Sequence, residues 1–214
     1  MARTVAPLLS FGASGQIGKT QVYSKWKGRA YARRYIIPSN PNTTAQQGVR
    51  GVFKFLNDLW KYLPAGAING WELYGQSSQI TARNGWLKQN TAALIGDSNL
   101  ANLIFSPSAK SGLQAAAMTA TAGVDQITVA LTAPTLPTGW TISKAIAAAV
   151  LDQDPMAPTN FKVFTGEDAT SPYSIVLTGG MDAASYRVGG WFEFIRPDGT
   201  FAYGQSLLAA ASPT

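Results

Sequence analysis

Trp140-Thr141-Ile142-Ser143-Lys144-Ala145-Ile146-Ala147-Ala148-Ala149-Val150-Leu151 is the stretch on which the fold class turns. Read by intrinsic propensity its alanines favour a helix, because Ala loses no side-chain freedom on coiling. Read by its borders it is a strand: Trp140, Thr141, Ile142 and Val150 are aromatic or β-branched, and a buried strand tolerates Ala. We take it as a strand. Short runs rich in Val, Ile, Thr, Phe and Tyr recur near residues 113–121, 125–133, 160–165, 173–178, 185–195 and 201–208. Leu136-Pro137-Thr138-Gly139, Thr178-Gly179-Gly180 and Pro197-Asp198-Gly199 supply turns between them. Seven such strands predict a β-sandwich over residues 112–214.

Upstream the period changes. Val49, Val52, Phe53, Leu56, Leu59, Trp60 and Leu63 fall at helical spacing with Arg50, Lys54 and Lys61 opposite, so residues 45–63 are expected to form an amphipathic helix that Pro64 ends. Thr44 followed by Gln47 has the spacing of a hydroxyl–amide helix cap. Shorter helical pieces are expected around Trp71–Tyr74 and Trp86–Leu94, closed by Gly96-Asp97-Ser98-Asn99. Trp60, Trp71 and Trp86 read as helical core, and Trp140 and Trp191 as sandwich core.

Before the helix, Gly12, Gly15 and Gly18 punctuate a loop, and Gln21 to Ile37 reads as a hairpin interrupted at Lys27-Gly28. Pro38-Ser39-Asn40-Pro41-Asn42 then breaks regular structure. The stretch to Asn57 holds nine Lys/Arg and no Asp or Glu. In Tyr23-Ser24-Lys25-Trp26-Lys27-Gly28-Arg29-Ala30-Tyr31-Ala32-Arg33-Arg34-Tyr35 the cations alternate with aromatics, a pattern suited to gripping something polar or negatively charged. One partner that fits is a nucleic-acid backbone, with Trp26 or Tyr31 stacking on bases. Another is an acidic protein surface, where Arg forks and aromatic anchors carry binding. The plainer alternative packs the aromatics on the chain's own helix and points the charges outward.

The composition narrows the class. Of 214 residues, 46% are hydrophobic and only 13% charged, so the surface is completed by small polar residues or hidden against neighbours, which leans towards assembly. The net charge of +6 is uneven: twelve basic and two acidic residues through Gly96 give +10, and five basic and nine acidic from Asp97 give −4. Copies can therefore attract head to tail. Cysteine is absent, which removes disulfides and thiolate metal sites. No apolar run approaches the roughly 20 residues that cross a bilayer, and a soluble, unprocessed chain is expected.

Ala13-Ser14-Gly15-Gln16-Ile17-Gly18-Lys19-Thr20 satisfies a relaxed phosphate-loop pattern, with Ile146–Asp152 as a candidate partner strand. A phosphate loop needs a helix directly after its Lys, and here the following residues alternate with period two. The βαβ unit of a dinucleotide fold is missing as well. With no His and no Cys, the commonest general base, metal ligand and strong nucleophile are absent. Asp152 with Asp154, and Glu167 with Asp168, sit beside Pro or turn residues and read as solvated loops. No catalytic, cofactor-binding or metal-ligating residue is assigned, no cofactor is expected, and enzyme activity is not expected.

The succession Gly15-Gln16-Ile17-Gly18, a Tyr23 strand, Trp26-Lys27-Gly28-Arg29, a second strand through Tyr31 and Arg33, then Pro38, Asn40-Pro41, Thr43-Thr44, Gln47 and Arg50 resembles the N-terminal signature of small virion structural proteins of tailed bacteriophages. The strands after Gly112 are similar to the immunoglobulin-like modules that phages append to capsid and tail proteins, with no motif matched residue by residue. The resemblance implies a non-enzymatic building block of the virion that binds other virion proteins, the major capsid protein foremost. Trp26, Lys27, Arg29, Arg33 and Arg50 carry over as contacts. With the residues of the basic run added, the expected protein-interaction set is Lys25, Trp26, Lys27, Arg29, Tyr31, Arg33, Arg34 and Arg50.

The whole reading is an α+β chain: arm, β-hairpin and small helical unit over 1–111, then an immunoglobulin-like sandwich over 112–214. Its expected role is an accessory capsid subunit, a cement or decoration protein that forms homo-oligomers and has no membrane partner. A neck or tail component and a nucleic-acid-binding protein are the alternatives. Carbohydrate binding by the sandwich loops would require Trp140 or Trp191 to be exposed.

Overall fold

Burial on both sides explains the composition of the decisive run, which is a strand. The computed structural model describes residues 2–3, 14–37, 39, 42–97, 99–107, 113–158 and 161–214, and its contacts divide the chain into Met1–Asn42 and Thr43–Thr214. A boundary at 111/112, as the sequence suggests, does not coincide with this division. The helices share one hydrophobic cluster with residues of the central strands.

In the first unit, β1 (Ala2–Arg3), β2 (Gly15–Ile17), β3 (Gln21–Trp26) and β4 (Arg29–Arg34) form an antiparallel sheet in the order β1-β4-β3-β2. The expected hairpin is β3–β4. Lys27 and Gly28 connect its strands at φ 47° and 77°, the two positive angles that a two-residue turn with the right twist demands. Parts of the expected arm are paired: Gly15–Ile17 lies against β3, and Ala2–Arg3 against β4. Gly12 and the Pro38, Asn40 and Pro41 breakers lie outside the described residues.

The second unit is α+β. Its helices are α1 (Thr44–Leu59), continued by a short 3-10 turn at Trp60–Tyr62, α2 (Ala65–Ser78) and α3 (Ala82–Leu94). Helix α1 starts one residue earlier than its sequence cap suggests: Thr43 is the cap, and its hydroxyl accepts from the Gln46 N–H at 3.4 Å. Thr81 caps α3 in the same way through the Asn84 N–H. On α1 the buried residues are Val52, Phe55, Leu56 and Leu59, so Phe55 takes the core place expected of Phe53, which is exposed.

The strands are β5 (Ala117–Gly123), β6 (Gln126–Thr132), β7 (Thr141–Leu151), β8 (Val163–Asp168), β9 (Ser174–Thr178), β10 (Tyr186–Ile195), β11 (Phe201–Tyr203) and β12 (Leu207–Ala211). They make a five-stranded antiparallel sheet, β8-β7-β10 with β11 and β12 both on β10, and a three-stranded one, β5-β6-β9. The expected last strand over 201–208 is split. Between the pairs Tyr203–Glu193 and Leu207–Gly190 it carries one residue more than β10, a bulge at which Ser206 accepts from the Phe105 and Ser106 N–H groups.

The five-stranded sheet is covered on both faces. Ile146, Ala148, Val150 and Trp191 pack with Val52, Leu56, Trp71, Trp86 and Phe105 of the helical layer. Ala145, Ala147, Ala149, Val188, Phe192 and Phe194 pack with Ile127, Val129, Ile175 and Leu177 of the smaller sheet. Alternation along β7 thus sends successive residues into two different cores, and every residue from Ala145 to Val150 is buried. Small side chains let both layers come close. At Gly66 on α2 an added Cβ would stand 2.2 Å from Ile146 Cδ1, and at Gly189 on β10 one would stand 2.2 Å from Phe105 Cδ2. The C-terminus is held too, with the Thr214 N–H donating to Gly123 O at 3.1 Å.

Two outcomes follow. Gly189→Ala should lower stability by about 1–3 kcal/mol, read from urea unfolding, because the Phe105 ring is stacked on Trp191 at 6.3 Å and has to shift. A chain lacking residues 1–42 should keep a cooperative thermal transition, since among the described residues both hydrophobic clusters are built from later ones. Loss of cooperativity in that chain would contradict the division.

Candidate partner-binding face of the basic sheet

The β3–β4 register settles which residues of the basic run stand together. Trp26 lies opposite Arg29, Ser24 opposite Tyr31 and Val22 opposite Arg33, so these share one face; Lys25, Ala30, Tyr23, Ala32, Gln21 and Arg34 share the other. The cations are therefore divided between two faces. One face interleaves Trp26 and Tyr31 with Arg29 and Arg33. The other sets Lys25 and Arg34 around Ala30 and Ala32, and there Tyr23 donates from its hydroxyl to Gln21 Oε1 at 2.9 Å. Trp26 is 67% exposed, and Lys27 in the turn places its Nζ 4.9 Å from the Trp26 ring centroid.

Residues 1–42 hold seven Lys/Arg and no Asp or Glu. Among the described residues, none of Lys19, Lys25, Lys27, Arg29, Arg33 and Arg34 forms an ion pair; the pairs present are Asp58–Lys61, Lys144–Glu167, Lys162–Asp182 and Asp152–Arg187. Such a surface presents uncompensated guanidinium forks and ammonium groups beside an exposed indole, which is the equipment for binding carboxylates or phosphates. Seven of the eight expected contact residues thus sit on one sheet. Arg50 does not join them; it lies on the exposed side of α1 in the second unit. Lys19, in the β2–β3 turn at φ 55°, belongs to the same charged surface and was not in the expected set, although it extends the same acid-free run.

The remaining motifs have structural employment. Gly18-Lys19-Thr20 turns between two antiparallel strands, with Thr20 donating from its N–H and its hydroxyl to Ile17 O at 2.9 Å, so no helix follows the Lys. Asp152 accepts from the Leu100 N–H at 3.0 Å and from Arg187 Nε at 2.9 Å. Asp154 accepts from the Met156 N–H, and Glu167 pairs with Lys144 at 2.6 Å. Among the described residues no group of three or more His, Cys, Asp or Glu is placed to hold a metal. Trp71, Trp86 and Trp191 are buried, whereas Trp60 and Trp140 are only partly so.

Asp168 accepts from the Thr170 N–H, the Ser174 N–H and the Thr170 hydroxyl, which hold its carboxyl below the ordinary value of 3.8. A carboxyl depressed in the folded chain contributes stability above the unfolded value and loses it as pH falls through the folded one. The 170–174 turn should therefore keep these bonds at pH 4 and release them only below 3.8, as followed by carboxyl carbon NMR; an Asp168 midpoint at or above 3.8 is the contrary result. In the hairpin, Gly28→Val should cost about 1 kcal/mol or more, because a β-branched residue is strained at φ 77°. Loss of β3–β4 amide protection in hydrogen exchange would register it.

No family model, no curated protein and no solved structure matches this chain.

Proposed function

We propose that this chain is a non-enzymatic virion structural protein of a tailed bacteriophage, an accessory capsid subunit of the cement or decoration type. The observation that carries the reading is the sheet in the acid-free stretch 1–42, in which Lys19, Lys25, Lys27, Arg29, Arg33 and Arg34 have no ion-pair partner among the described residues. Like charges on so small a sheet repel one another, and an acidic neighbour relieves that repulsion. In this reading the Trp26/Tyr31 face anchors on the shell and Arg29 and Arg33 grip its carboxylates. Low charge over the rest of the chain suits close packing among copies.

The strand order supports an immunoglobulin-like module. Taken in sequence as A, B, C, C′, E, F and G, the strands β5, β6, β7, β8, β9, β10 and β11/β12 pair as A-B-E in one sheet and C′-C-F-G in the other, the partition of that architecture. Fold likeness carries no function by itself, so the role rests on the basic sheet.

The test is cosedimentation with shells assembled from the major capsid protein. Binding should weaken steeply as salt rises, and Arg29→Glu with Arg33→Glu should reduce it by about tenfold or more without changing the thermal transition of the second unit. A monomer that binds no shell at any ionic strength would remove the cement reading. The stacking-capable face, with Trp26 exposed beside Lys27, favours one second reading, nucleic-acid binding. Filter binding to single-stranded DNA at two salt concentrations separates them: tight, salt-sensitive retention there, with no shell binding, selects the genome as partner.

A further inference from the structure

Two adjoining hollows run along one side of α2 in the second unit. The first, about 630 Å³, lies between α2 and the β10–β11 turn; the second, about 560 Å³, continues to the α2–α3 turn, and Glu72 and Gln76 line both. Both are open to solvent rather than enclosed, so a ligand lying along them keeps one face in water. Phe201, 48% exposed, and Leu73 give the first hollow an apolar patch.

The polar groups around that patch are positioned by second contacts. Arg196 lies over the Trp140 ring with its Cζ 5.4 Å from the centroid, and its Nη1 donates to Thr200 Oγ1 at 3.4 Å. The Asp198 carboxylate accepts from the Thr200 N–H at 2.9 Å and from its hydroxyl at 2.6 Å. Asn69 donates from Nδ2 to the Tyr203 hydroxyl at 3.2 Å. Groups held this way need little further ordering when a ligand arrives.

The charge selects the ligand. One guanidinium against the two carboxylates Glu72 and Asp198 leaves the first hollow at −1, which disfavours phosphates and other anions, while Arg196 offsets one of the carboxylates and weakens its pull on a cation. Amides, carboxylates and a guanidinium around a half-exposed ring suit a ligand that is apolar on one face and hydroxylated at its rim. We propose that this groove binds a neutral saccharide chain, with Phe201 as the platform for a sugar ring and Glu72, Gln76 and Arg196 as hydroxyl partners. The second hollow, continuous through Glu72 and Gln76, accommodates further sugar units. The site is independent of the basic sheet and of the capsid reading.

The test is amide NMR titration of the full chain with maltotriose, chitotriose and xylotriose, each to about 10 mM. At least one should shift the signals of residues 69–76 and 196–203 with a dissociation constant in the millimolar range or below. Phe201→Ala and Glu72→Gln should each weaken that binding by about tenfold with the thermal transition unchanged. No shift with any of the three, binding that survives both substitutions, or shifts at these residues with inorganic phosphate or spermidine instead, overturns the proposal.

Discussion

Burial of the β7–β10 pair on both of its faces is the constraint on which the second unit depends. A sheet covered on one side alternates apolar and polar residues, but residues 145–150 and 188–194 of these two strands have no side left for water. Each buried aliphatic or aromatic residue contributes about 1.5–3 kcal/mol of transfer free energy, and the pair delivers residues to both clusters at once. The same crowding sets their composition. Ala147 opposite Gly190 lets the smaller sheet approach, and Ala148 opposite Gly189 leaves room for the Phe105 ring.

What lies between the helices and the strands is held by polar contacts. The described residues between 95 and 107 lie in no strand or helix, and side chains satisfy part of their backbone. Asn90 accepts from the Ile104 N–H at 2.7 Å and donates to Ile104 O, Trp71 Nε1 donates to Phe105 O at 2.9 Å, and Asp152 takes the Leu100 N–H while paired with Arg187. Buried polar groups of this kind are costly unless satisfied. Their satisfaction fixes the Phe105 ring against Trp191 and so joins the helical layer to the sheet.

The first unit obeys a different rule. Among the described residues both hydrophobic clusters are built from residues after Asn42, and residues 1–42 hold no Asp or Glu to face their cations. Hydrogen bonding between strands and a turn with two positive φ angles give it shape.

Much of this was legible in the residues. The hairpin, the α1 helix, the strand assignment of Ala145–Val150 and six of the other strand positions follow from period and turn chemistry, which act over a few neighbours. The acid-free basic run is likewise a property of order along the chain. Other features are not local. Phe53 and Phe55 are equally apolar as letters, and only the packing of α1 buries one and exposes the other. The split of the last strand arises from a bulge at Ser206, answering to Ser106 a hundred positions away. The proposed saccharide groove joins α2 to the β10–β11 turn across more than a hundred residues, and of its members only Asp198 belongs to a local signal, the Pro197-Asp198-Gly199 turn. Sequence by itself determined periodicity, turns and the distribution of charge. Tertiary structure alone decided that the central sheet has two cores, because covering both faces requires layers that meet only after the chain has folded back on itself.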